Sequence, residues 1–109
     1  MSKAMIVHAT GGPDVLRWED RDVGAPGPGE IRVRQAAVGV NFIDVYFRTG
    51  LYKAPSMPFV PGKEGAGTVE ALGEGVSRFS VGDRVAYNDA PGAYAEEILL
   101  KADSAVLLP

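Results

Sequence analysis

With 109 residues, 46% hydrophobic and 23% charged, the chain has the size and balance of a single globular domain, able to bury roughly 65% of its unfolded surface. Eleven basic against fourteen acidic residues give a net charge of −3, and the basic ones are dispersed, so no surface is supplied to neutralise nucleic-acid phosphates. Zero cysteines exclude disulfides, thiolate catalysis and thiolate zinc sites, and the single histidine, His8, has no second imidazole with which to share a metal.

No apolar run approaches the roughly 20 residues that a membrane-spanning helix requires. The amino terminus, MSKAMIVHATGG, lacks the apolar stretch and small-residue cleavage pattern of a secretory signal, so the expected location is the cytoplasm.

In chain order, Lys3 to His8 reads as a first strand, Gly11-Gly12-Pro13-Asp14 as a turn, and Val15 to Asp20 as a second strand with Leu16 and Trp18 on one face. Gly24 to Gly29 holds too many helix breakers for regular structure, and the alternation of Ile31, Val33 and Gln35 after it marks the next strand. The period changes at Asn41. Phe42, Val45 and Tyr46 recur at helical spacing and Gly50 offers a stop, so a strand is expected to feed a short helix. Asn41 suits the N-cap because its side-chain oxygen can accept from a free first-turn amide, and Asp44 complements the positive end of the helix dipole.

Pro55 and Pro58 make Leu51 to Phe59 a surface loop, with Gly50-Leu51-Tyr52 at the rim of a pocket. Pro61-Gly62 reads as a turn, and Gly65-Ala66-Gly67 leaves room for another group to approach the backbone. Glu70 stands where a third dinucleotide-fingerprint glycine would be needed, and Arg78 stands likewise after Gly73-Glu74-Gly75. These glycines therefore fit hairpin turns and close strand packing instead. Thr68 to Leu72, Arg84 to Tyr87 and Ala93 to Leu100 are further strands, and another apolar segment begins at Ala105. About six to eight short strands with one short helix favour a small, partly open β-barrel.

The ordered motifs GVNFIDVYFRTGLY, PGKEGAGTV, VGDRVAY and GAYAE resemble the amino-terminal GroES-like domain of the medium-chain dehydrogenase/reductase superfamily, most closely its zinc-free NADPH:quinone oxidoreductase (zeta-crystallin-like) branch. The resemblance covers essentially the whole chain. It implies a mainly β fold, a GroES-like partly open β-barrel with one or two short helices, without the doubly wound nucleotide-binding domain. Residues 1–109 would be one such domain of a longer two-domain reductase whose gene continues past Pro109, and the chain alone would have little turnover.

Zinc-dependent alcohol dehydrogenases of the superfamily carry cysteine where this chain has Asn41 and histidine where it has Lys63, so the resemblance implies chemistry without zinc. In the metal-free branch NADPH lies between the two domains and passes hydride to a quinone or similar electron-poor acceptor, the protein supplying proximity and orientation. By resemblance, Asn41, Phe42, Ile43, Asp44, Val45 and Tyr46 line the nicotinamide end, and Tyr46 and Tyr52 stand near the acceptor. Asn41, Tyr46 and Tyr52 are thus the catalytic candidates, and Lys63 joins the cofactor-binding set.

Each residue also has a plainer reading. Phe42 and Tyr46 fit a core-facing helix stripe, Asn41 a pure cap and Asp44 a dipole partner. Lys63, where the branch usually has threonine, fits a surface lysine, with Glu64 as a local pairing partner. Two other functions stay open: a stand-alone GroES-like binding or assembly module, and an enoyl or alkenal reductase. A barrel lacking some strands keeps an exposed sheet edge, so self-association as a homodimer is expected.

Overall fold

The computed structural model describes residues 2–109. β1 (Ser2–Val7) and β2 (Leu16–Arg21) pair antiparallel, Ser2 opposite Arg21 and Val7 opposite Leu16. The expected hairpin is there, and its connection winds through one 3-10 turn at Pro13–Val15. Leu16 and Trp18 do share a face, but it borders an open groove, and Trp18 stays exposed.

β3 (Glu30–Val38), β4 (Gly65–Leu72), β5 (Arg84–Tyr87), β6 (Glu97–Lys101) and β7 (Ala105–Leu107) form an antiparallel sheet in the order β6-β3-β4-β5-β7. The sheet curls into a half-barrel. Single bridges from Ala4 to Ala95 and from Val7 to Phe59 hold the hairpin against it. One α-helix, α1 (Phe42–Thr49), interrupts the strands among the described residues. The mainly β, partly open barrel read from the sequence is therefore the fold observed.

Alternation explains the sheet's two faces. Ile31 and Val33 of β3, Val69 of β4, Val85 of β5, and Ile98 and Leu100 of β6 point inward and are fully or almost fully buried. Arg32 and Arg34 point outward, where Arg32 Nε lies 2.7 Å from Glu70 Oε2 and Arg34 Nε 3.2 Å from Glu70 Oε1. Glu97 of β6 completes this cluster, with Oε2 at 3.6 Å from Arg32 Nε and 3.5 Å from Arg34 Nη2. An ionic lattice thus crosses three neighbouring strands on the outer face.

β1 and β2 each shift by one residue from the sequence reading, and two strand starts differ by more. β4 starts at Gly65 rather than Thr68, so the small-residue stretch lies inside a strand. A Cβ on Gly67 would come within 2.1 Å of the Arg34 carbonyl oxygen, so the group that approaches this backbone is β3 itself. β6 starts at Glu97 rather than Ala93. Ala93 to Glu96 is instead tied from several sides: Tyr94 N–H donates to Pro61 O at 2.9 Å, Glu96 N–H to Lys3 O at 2.8 Å and Gln35 N–H to Glu96 O at 2.8 Å.

Candidate functional site

α1 is short, and its two ends are fixed differently. At its start Asn41 has extended backbone (φ −123°, ψ 159°) and forms a capping box with Asp44. The well-formed arm is the Asn41 N–H donating to Asp44 Oδ2 at 3.0 Å, while the arm from the Asp44 amide to the Asn41 side chain falls outside hydrogen-bond geometry. The Asp44 amide donates instead to the Asn41 carbonyl at 3.1 Å. Asn41 therefore occupies the cap position that its type predicts, but the carboxylate does the bonding.

The far end stops at Gly50, which takes φ 90°, a left-handed conformation open to glycine at little cost. Beside it, Gly11 N–H donates to Arg48 O at 2.9 Å and Arg48 Nε donates to Gly11 O at 3.2 Å, docking the last turn on the hairpin connection.

Asp44 is only 5% exposed, and Ser2 is the other polar residue buried to this degree among the described residues. A second donor reaches it: Tyr94 Oη lies 2.9 Å from the same Oδ2. Burial, followed by the hydrogen bond to Asp44, pushes the Tyr94 phenol well above the ordinary tyrosine value, so it stays a proton donor to the carboxylate at any physiological pH. Sequence reasoning took Tyr94 for a strand residue. The signal available was a lone aromatic between the small residues Ala93 and Ala95, a pattern that allows close approach but does not say to what.

A recess of about 290 Å³ opens beside the helix, lined by Ile43, Asp44 and Phe47 of α1, by Phe59, and by Lys63 and Asp89 opposite. A smaller cavity of about 190 Å³ takes the next side of the helix, with Asp44, Val45, Arg48 and Tyr94 on its wall. Asp44 stands between the two. The Asn41 amide nitrogen is buried at the helix start, outside the lining of both cavities, and has no hydrogen-bond partner.

The third side of α1 faces outward. Phe42 is 80% exposed, which overturns the core-stripe reading for that residue. Tyr46 and Tyr52, 36% and 47% exposed, pair edge to face with ring centroids 5.3 Å apart, and Tyr52 also meets Phe47 at 5.8 Å. The Tyr52 N–H donates to Tyr46 O at 3.1 Å and locks this arrangement. The structure thus brings the two tyrosines together, but on the helix flank rather than on the wall of the recess that Ile43, Asp44 and Lys63 share. Lys63 Nζ lies 3.9 Å from Asp89 Oδ1, so its carboxylate partner is Asp89 and not the adjacent Glu64. Among the described residues, no three His, Cys, Asp or Glu side chains gather as a metal site would require. No helix among them is long and apolar enough to cross a membrane.

Residues 27–109 match the family described as the alcohol dehydrogenase GroES-like domain. The chain belongs to this family. Over its full length, this GroES-like domain is 53% identical to the quinone oxidoreductase of Pseudomonas aeruginosa, of which it covers 34%. It is 43% identical to the 2-haloacrylate reductase of a Burkholderia species, again covering 34% of that protein. Among solved structures, Escherichia coli quinone oxidoreductase complexed with NADPH superposes with a TM-score of 0.95 at 42% identity, over 98% of this chain and 33% of that one. The chain thus spans about a third of the length of the curated relatives it matches.

The superfamily resemblance read from the motifs is confirmed by these matches. In this GroES-like fold α1 follows β3, with the apolar recess on one side of the helix and the paired phenols on another.

Proposed function

We propose that this GroES-like domain is the front part of a longer, cytoplasmic reductase that transfers hydride from NADPH to a quinone or comparable electron-poor acceptor without a metal. The observation that carries the reading is the Asn41 side-chain amide, buried at the helix start with an unpaired donor. A buried donor without a partner costs about 1–3 kcal/mol, and an acceptor brought by a ligand would satisfy it. The carboxamide of a nicotinamide offers such an acceptor. The similarity to an NADPH complex and to a quinone oxidoreductase supports the choice of cofactor and acceptor.

NADPH, when bound, supplies the hydride. The chain's own contribution is orientation: Asn41 holds the capped turn, Ile43 and Asp44 border the recess, Phe42 and Val45 flank it on other sides of α1, and Tyr46 and Tyr52 present aromatic faces and phenol donors to a flat carbonyl acceptor. Lys63, with its charge only partly offset by Asp89 at 3.9 Å, favours the neutral reduced nicotinamide over the cationic oxidised one. The absence of cysteine and the presence of Asn41 and Lys63 at the two positions named above support metal-free chemistry.

A second reading, reduction of an activated carbon–carbon double bond, is favoured by the similarity to 2-haloacrylate reductase. One experiment separates the two: NADPH oxidation by the longer protein with a panel of quinones and of haloacrylates or enones. Turnover with quinones supports the first reading, turnover confined to the alkenes supports the second, and none with either rejects both in favour of a binding or assembly module.

A further inference from the structure

Two segments of the proposed site, the start of α1 and the loop carrying Lys63, are far apart in sequence, and a third segment joins them. Ala90 N–H donates to Lys63 O at 3.0 Å, Gly92 N–H to Gly62 O at 3.0 Å and Tyr94 N–H to Pro61 O at 2.9 Å. The Tyr94 ring then lies directly on the turn, for a Cβ at Gly62 (φ 98°) would fall 2.6 Å from Tyr94 Cδ1. Met5 N–H donates to Tyr94 O at 2.8 Å, which fixes the same residue to β1. From this anchored base the phenol reaches Asp44 Oδ2, the atom that also receives the Asn41 N–H.

We infer that Tyr94 is a positioning residue: its hydroxyl holds the Asp44 carboxylate in the rotamer that caps Asn41, so that α1's first turn and the Lys63 loop keep one fixed geometry. The inference rests on the function proposed above only for its kinetic consequence. The alternative partner for Asp44 is Arg48, one turn further along α1 and on the wall of the same small cavity. Without the phenol, Asp44 loses one of two donors and is free to turn toward that guanidinium, releasing the Asn41 amide and with it the orientation of the buried side chain beyond it.

The test uses Tyr94→Phe, Asp44→Asn and the double variant. Amide hydrogen exchange on the chain is expected to quicken about tenfold at Asn41 in Tyr94→Phe, the effect of losing one charge-assisted hydrogen bond, while Val33 and Val69 in the sheet keep their wild-type rates. In the longer reductase, kcat/KM for NADPH is expected to fall about tenfold, the loss expected when the Asn41 donor no longer meets its acceptor. Non-additive effects in the double variant would show that both residues act through one chain of contacts. An unchanged Asn41 rate in folded Tyr94→Phe overturns the inference, as does a uniform acceleration across the sheet. Should Tyr94→Phe fail to fold, Asp44→Asn, which keeps the side-chain shape, decides it by the same exchange criterion. An inactive wild-type reductase would reject the proposed function alone, leaving the exchange rates to decide whether Tyr94 pins the turn.

Discussion

Tyr87 Oη donates to Gln35 Oε1 at 2.7 Å, and the two residues belong to strands that are not neighbours: β4 runs between them. They meet because Gly65, opposite Tyr87 in the ladder, has no side chain. A Cβ there would lie 2.7 Å from Gln35 Oε1 and 2.8 Å from Tyr87 Oη. Gln35 passes the connection on, its Nε2 donating to Ala93 O at 2.8 Å, one residue before Tyr94. The glycine thus makes possible a polar link from β5, across β4, to the segment beneath the proposed site.

Gly65→Ala should therefore cost about 1–3 kcal/mol in unfolding free energy, the penalty of leaving buried polar groups unpaired. Tyr87→Phe should cost about 1 kcal/mol, the net worth of one hydrogen bond. Because both changes break the same link, the double variant should lose less than the two losses added, a point that denaturant titration of the three proteins would check.

Burial of the Tyr87 phenol predicts an alkaline limit. Burial pushes the Tyr87 phenol from 10.0 to about 12, with the Gln35 bond opposing. The folded state holds this proton more tightly than the unfolded chain, so the contribution to stability is complete below pH 10 and is lost as pH rises toward 12. Tyr87→Phe should flatten that part of the stability curve, measured by thermal unfolding at a series of alkaline pH values. An identical alkaline slope in the variant would refute the assignment.

On the outer face, Glu70 and Glu97 should respond to acid in opposite senses. Burial and then the hydrogen bond with Glu97 raise Glu70, whereas Glu97 is lowered chiefly by the hydrogen bond from Glu70, against burial. As pH falls toward 4.5, the folded state takes up a proton at Glu70 before the unfolded chain does and gains stability; below 4.5, Glu97 resists protonation and stability is lost. Glu70→Gln, which retains a donor toward Glu97, should change stability at neutral pH by less than about 1 kcal/mol, as expected for a partly exposed ionic cluster. Glu97→Gln should weaken the acid limb below 4.5. Equal acid profiles for both variants would contradict the opposite shifts of Glu70 and Glu97.

Much of the architecture was legible because side-chain period carries it. Ile31 and Val33 alternating with Arg32 and Arg34 announced a half-buried strand, and Phe42, Val45 and Tyr46 with Gly50 announced the helix and its end. Gly65 to Gly67 was read as empty space because glycine has no side chain through which a period can show, and only the paired strand reveals what fills it. The site was partly legible for a related reason. Asn41 and Asp44 lie three residues apart, within reach of local capping rules, whereas Tyr94 meets Asp44 across fifty residues of chain that no local rule spans. Tyr46 and Tyr52 meet on the helix flank, off the wall of the recess, and periodicity alone does not say which side of α1 faces it.

Asn41 offers the most direct separation of structure from function. Replacing an asparagine N-cap by alanine ordinarily costs about 1 kcal/mol, but here the side-chain arm of the capping box lies outside hydrogen-bond geometry and the amide nitrogen is buried unpaired. Asn41→Ala should accordingly fall at the low end, about 0.5 kcal/mol, and Asn41→Ser should cost less still. Binding of NADPH to the longer reductase should suffer more: losing one buried donor to a carboxamide is worth about tenfold in Kd. Nicotinamide fluorescence titration of wild type and both variants gives the numbers. Wild-type affinity in both would mean that the unpaired amide serves the fold or another ligand, and the cofactor would have to be placed elsewhere along the recess.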